Sequence, residues 1–248
     1  MRDGGAARVC KRLLPRVREE PAARAAMVRE AMALSRARHP ALPELFRVGN
    51  DAHGPFVIES RVEGASVRAI VEGFREQGRA VPPRLIAHLA EASAAALAGV
   101  HERGISHGDL GPDHVLMSPI GEARFVDLGA ARFEGMEASL ETADRGTLPF
   151  AAPEVARGEA PPGPAADVYA LAATILWLAT SGEPLTSARD DAAMLLEIGE
   201  RGLALDRCDR AQGLTRGGRE ALRRALARDP ADRISGGRAL WEALSAPV

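Results

Sequence analysis

A chain of 248 residues with 46% apolar side chains is long enough to bury one large core or two smaller ones. Its formal net charge of −2, with acidic and basic residues interspersed, excludes nucleic acid or an anionic membrane as the main partner. No apolar run reaches the roughly 18 residues of a bilayer span, the start has no signal-like apolar stretch, and two cysteines cannot build a disulfide framework, so a reduced, cytoplasmic protein is expected.

In chain order, Ala7 to Leu14 alternates weakly between apolar and charged side chains and predicts a short strand. Pro21 stands at a helix's first turn, where a missing N–H costs nothing, and Met27, Glu30, Ala31 and Leu34 share one face of that helix. His39-Pro40 stops it, because the residue before proline is pushed out of the helical region. Leu45 to Gly49 and Pro55 to Glu59 flank a turn-rich stretch and predict a hairpin. The chain turns helical after Val62, and Pro82-Pro83 opens a helix whose Ile86, Leu89, Leu97 and Val100 form an apolar stripe ending near Gly104. Two short strands, His114 to Met117 and Ala123 to Val126, precede a long loop over 127–154. Ala165 to Thr180 is apolar almost all round and predicts a buried helix; further helices are expected at 191–199, 215–228 and 236–245. His88 and His101 read as helix-surface or packing residues, and the Arg-rich run at 219–228 as a solvated face.

Chemistry concentrates in Ile105 to Leu116, a loop between a helix and an apolar strand that contains His107-Gly108-Asp109, and in Phe125-Val126-Asp127-Leu128-Gly129. Two Asp residues on neighbouring loops suit phosphoryl transfer, one orienting a hydroxyl and the other holding Mg²⁺ on a nucleotide. A second signal is compositional: among 32 basic residues only Lys11 is lysine. A position that keeps an ammonium against such a bias suits a compact point charge better than a planar fork.

Asp109 and Asp127 with His107 resemble the protein-kinase catalytic loop, H-R-D-L-x-x-x-N, followed by D-F-G. The resemblance extends along the chain. Val9-Cys10-Lys11 is similar to the end of the V-A-I-K strand, and Glu30, nine residues before His39, stands where the helical partner of that lysine is expected. Pro55 to Gly64 resembles the strand and hinge that hold adenine, with Glu59 at the gatekeeper position and Ser60, Arg61 and Val62 as the hinge. Gly146 to Glu154, with Thr147 and Pro149, resembles the end of the activation segment and includes the A-P-E triplet Ala152-Pro153-Glu154. Asp167-Val168-Tyr169 resembles the buried helix that braces the catalytic loop, and Arg228 to Arg233 the late R-D-P-x-x-R whose last Arg pairs with the A-P-E Glu.

The resemblance implies an α+β, two-lobed protein-kinase-like fold. Residues 1–62 would form a truncated small lobe of about three strands plus the Glu30 helix, with the hinge at 60–62. Residues 63–248 would form a mainly helical large lobe with a catalytic loop at 105–116 and an activation segment at 127–154. It also implies Asp109 as the base, aided by Lys11 and Glu30. ATP would meet Lys11, Ser60, Val62, Leu116 and Asp127, with Mg²⁺ on Asp127 and His114 in the position of the second-metal Asn. A protein substrate or partner is implied with it.

Several positions depart from the family pattern. The ten residues before Lys11 leave no room for two strands and a Gly-rich loop, and three small-lobe strands leave an exposed sheet edge. His114 offers imidazole where Mg²⁺ prefers oxygen. Gly111 removes a lysine beside the transferring phosphoryl group. Gly108 replaces an Arg that senses activation-loop phosphorylation, leaving Ser139 or Thr142 without a receptor. Val9 takes the place of a small Ala over the adenine. Glu59 puts a carboxylate at the back of the pocket, where it can pair with Lys11 and compete with Glu30. Three readings follow: a Ser/Thr-kinase-like domain with weak or lost phosphotransfer and a binding role; an active Ser/Thr kinase whose Gly-rich loop lies upstream of this sequence; and a small-molecule phosphotransferase of the aminoglycoside-kinase type, which also uses His-Gly-Asp.

Overall fold

The computed structural model describes residues 7–136 and 147–246. Its first part is an antiparallel sheet of β1 (Arg8–Arg12), β2 (Leu45–Asp51) and β3 (Gly54–Ser60), in the order β1-β3-β2, against which packs α1 (Pro21–Arg36). β1 is an outer strand, so among the described residues its far edge has no strand partner. Pro21 sits at the start of α1, and that helix buries Glu30, Ala31 and Leu34 but leaves Met27 half-exposed. The register matters for the site. Val9 pairs with Glu59 and Lys11 with Val57, so the alternating pleat puts all four side chains on one face, with Glu59 diagonal to Lys11.

The remainder is mostly helical. The two-residue strand β4 (Ala65–Ser66) leads into α2 (Val67–Glu76), which Ser66 caps by accepting from the Ala69 N–H at 3.1 Å. α3 (Pro83–His101) buries Ile86, Leu89, Leu97 and Val100, the stripe read from the sequence. It ends in β5 (Ile105–Ser106), and β6 (Val115–Met117) pairs antiparallel with β7 (Ala123–Phe125). The stretch 127–154 is not a plain loop. β8 (Arg132–Phe133) pairs with β5, and α4 (Pro153–Ala156) forms one helical turn. Two-residue strands depend on a distant partner and leave no periodicity to read. Ser139 and Thr142 lie outside the described residues.

The core sits around α5 (Pro164–Ala179), whose residues from Ala166 to Ala179 are all buried. α6 (Asp191–Arg201) and α7 (Arg216–Ala225) are capped by Asp190 and Thr215; α7 stops at Ala225, short of the predicted end at 228. α8 (Gly236–Ser245) packs on α3. A Cβ at Gly237 would lie 2.5 Å from the Ala98 nitrogen, so only glycine permits this approach. The result is the small sheet lobe and helical large lobe that the sequence predicts.

Candidate active site

Lys11 points from β1 into the angle between the sheet and α1. Its Nζ lies 2.5 Å from Glu30 Oε1 and 3.1 Å from Glu59 Oε1. Both carboxylates are nearly sealed from solvent, with side chains 7% and 4% exposed. Burial by itself would lower the Lys11 pKa; the two carboxylates more than reverse this and hold it above its ordinary value. Burial pushes the Glu59 carboxyl up, against the pull of Lys11 and with help from the Glu30 and Asp127 charges. Its second oxygen, Oε2, is buried without a hydrogen-bond partner.

The loop carrying Asp109 is held from below. Asp167, 1% exposed at the start of α5, accepts from the His107 N–H at 2.7 Å and the Gly108 N–H at 2.8 Å. His101 Nε2 lies 3.0 Å from the same carboxylate, and its Nδ1 accepts from the Gly237 N–H at 3.1 Å. Of the two readings of His101, surface or packing, the structure bears out the second and makes it part of the brace. His107 is fully buried, its Nε2 3.0 Å from the Val126 carbonyl, and burial lowers its pKa, so it supports the loop as a neutral residue. Gly108 has φ +84° and a Cβ there would meet the Ala130 oxygen at 2.2 Å; this backbone favours glycine whatever an arginine side chain would do.

On this base Asp109 accepts a 2.7 Å hydrogen bond from Thr147 Oγ1. Thr147 lies in the stretch that resembles the end of the activation segment, but nothing local marks it as a site residue, since its partner Asp109 is 38 residues away. His114 Nδ1 donates to the Asp109 carbonyl at 2.6 Å, and its Nε2 faces Asp127 Oδ2 at 3.8 Å. Because a carbonyl only accepts, the proton sits on Nδ1. Asp127 adopts φ +67°, a left-handed conformation uncommon outside glycine and typical of functional positions, and its side chain is 57% exposed.

Val9, Lys11, Glu59, Ser60, Arg61, Val62, His114, Leu116, Val126 and Asp127 line one cleft of about 400 Å³. Asp109 lies on the other side of His114 and borders a separate small space with Thr147. The Asp127 carboxylate is the oxygen donor that could hold one hard cation here. The site does not fit a second, because His114 supplies nitrogen. Among the described residues no three His, Cys, Asp or Glu side chains converge as a metal cage of their own.

The helical turn α4 is tied to the chain just before α8. Arg233 Nη1 and Nη2 each donate to one oxygen of Glu154 at 2.6 Å, with side chains 0% and 8% exposed. The remaining guanidinium donors reach the carbonyls of Ala227, Ala165 and Arg228, and the group stacks over the Tyr169 ring at 4.9 Å.

Comparison with known proteins agrees with this geometry. The protein kinase domain family model matches residues 2–246. The serine/threonine-protein kinase PknL of Mycobacterium tuberculosis is 28% identical over 209 residues, 83% of this chain and 50% of its own. PknK of the same organism is 33% identical over 212 residues, covering 83% of this chain and 18% of its own. PknD is 32% identical over 180 residues, 72% of this chain and 25% of its own. The chain thus spans half or less of the length of these relatives. With the Lys11–Glu30 pair, the braced Asp109 loop and the Glu154–Arg233 lock, these matches make one conclusion plain: the chain belongs to the protein kinase family.

Proposed function

We propose that this is a Ser/Thr-kinase-like domain in which phosphotransfer from ATP is weak or lost, acting through binding of a protein partner. The observation that carries the reading is the sharing of Lys11 between Glu30 and Glu59. In the family pattern that lysine has one carboxylate partner and an ammonium face turned to the α and β phosphates. Here a second carboxylate takes that face, so the one ammonium of the cleft is shared between Glu30 and Glu59, with Asp127 across from it and the Arg61 guanidinium at the hinge end of the lining. Gly111 adds no compensating charge. A Cβ at this position would meet Thr147 at 3.4 Å, ordinary contact, so the backbone there does not demand glycine.

ATP and Mg²⁺ remain the expected ligands, held through Lys11, the Ser60–Val62 hinge, Leu116 and Asp127. Asp109 would accept the proton of a substrate hydroxyl. One observation favours a second reading as an active Ser/Thr kinase: Thr147 holds Asp109 by a 2.7 Å bond while Asp127 already faces the cleft. The reading as a small-molecule phosphotransferase gives way to the protein-kinase family.

Phosphotransfer separates the two. With Mg-ATP and a generic Ser/Thr protein substrate, the chain is expected to give no product above an Asp109→Asn control. Product that Asp109→Asn abolishes would establish the active-kinase reading instead.

A further inference from the structure

A second cavity, about 670 Å³ and larger than the cleft, opens beside the hinge. Ser60 and Arg61 line both spaces, so only the hinge strand separates them. The hinge is pinned there to the start of β2: the Ser60 N–H donates to the Glu44 carbonyl at 2.8 Å, and the Glu44 N–H to Ser60 Oγ at 2.9 Å.

The lining combines an apolar wall with unusually open cations. Leu34 and Leu42 are 2% and 5% exposed and present buried aliphatic surface. Three arginines surround it. The guanidinium groups of Arg38 and Arg61 make no hydrogen bond or ion pair among the described residues. Arg124 meets Glu122 at 3.2 Å through Nη2, yet its Nε is buried without a partner. A buried donor left unpaired is costly, and it is satisfied most cheaply by an acceptor that enters the cavity. His39 adds no charge, because burial and the nearby Arg103 charge lower its pKa, and its Nδ1 accepts from the Ala41 N–H at 3.2 Å. Glu44 is the one acidic side chain in the lining, so the cavity carries a clear positive excess.

We propose that this cavity is an anion-binding site for a phosphate monoester with an apolar body. Guanidinium groups match the oxygens of a dianionic phosphate in geometry and charge. The volume falls within the roughly 300–1,000 Å³ of small-ligand pockets and exceeds what bare phosphate fills, which leaves the leucine wall for the ester group. The site shares the hinge residues Ser60 and Arg61 with the nucleotide cleft but does not depend on whether phosphotransfer occurs.

The test is calorimetric titration of the full chain, with EDTA present, using phenyl phosphate, inorganic phosphate and a phosphoserine peptide bearing a leucine. Phenyl phosphate is expected to bind with a dissociation constant of about 1 mM or below. The double change Arg38→Ala/Arg61→Ala should weaken it at least about tenfold, the loss of roughly one charge-assisted contact. Both residues reach solvent, so this variant keeps its fold; Arg124→Gln gives a second, independent weakening. Lys11→Met, in the cleft, should change nothing. A peptide binding more tightly than phenyl phosphate would identify a protein segment as the source, and the reverse a small metabolite; either supports the site. Absence of saturation by about 10 mM, equal affinity for inorganic phosphate, or sensitivity to Lys11→Met with indifference to the arginine changes would overturn it.

Discussion

Among the described residues, two clusters of buried carboxylate and cation are built to opposite ends. At Glu154–Arg233 one carboxylate meets one guanidinium in a two-point bond, and every remaining donor reaches a carbonyl. At Lys11 one ammonium serves two carboxylates, and Glu59 keeps a buried oxygen with no partner. A complete network fixes structure, because removing any member strands the others. An over-subscribed one leaves a charge unbalanced where a ligand would have to enter. The first cluster holds the activation segment to the large lobe, and the second sets what the cleft can accept.

The largest expected effect comes from breaking the complete cluster. Arg233→Ala strands the Glu154 carboxylate, a loss of about 3–5 kcal/mol. At roughly 2–4 °C per kcal/mol for a domain of this size, melting should fall by about 6–20 °C. An exposed control such as Arg210→Ala should move it little, and equal melting curves for the two would refute the lock.

The over-subscribed cluster should respond with the opposite sign. Glu59 has a raised folded-state pKa, so the folded protein binds its proton more readily than the unfolded chain. Stability is therefore fully present below the unfolded value of 4.5 and is lost as pH rises through the folded value. Glu59→Gln, which keeps shape but not charge, is expected to raise the melting temperature at pH 7 by less than the Arg233 change lowers it. The gain should vanish near pH 4. A gain that grows on acidification would contradict the assignment of Glu59 as the surplus charge.

How much of this was legible beforehand follows from which forces act locally. The order of elements, the stripe on α3 and the buried α5 were readable because periodicity and proline placement act within one turn. The carboxylate at position 59 was readable only through a family register, and the β1–β3 pairing shows why it matters: the pleat puts it diagonal to Lys11. Thr147 as the partner of Asp109 and His101 as part of the brace were not readable. Each meets its partner across a fold-scale distance, Asp109 in one case and Asp167 and Gly237 in the other. The glycine at 108 was read as a lost arginine, whereas its positive φ and the Ala130 carbonyl give it a backbone reason.

Smaller effects sharpen the contrast at the cleft. His114→Asn replaces a nitrogen with an oxygen ligand and should strengthen Mg²⁺-dependent nucleotide binding several-fold, roughly 1 kcal/mol, seen as a larger Mg-ATP melting shift than in the parent. Combined with Glu59→Gln and Gly111→Lys, it should give the largest gain, because the cleft then loses one negative charge and gains one positive charge. A combined variant no better than the parent would mean that the charge balance is not what limits binding.

The most direct test of the central claim is the melting shift of the unmodified chain in millimolar Mg-ATP. A ligand near its dissociation constant stabilises by only about 0.4 kcal/mol, against about 2.7 kcal/mol at 100 times that constant. With Lys11 occupied by two carboxylates, the shift should stay under about 2 °C. A shift of some 5–10 °C would show that Lys11 is free to meet phosphate, and the account of the cleft would be wrong.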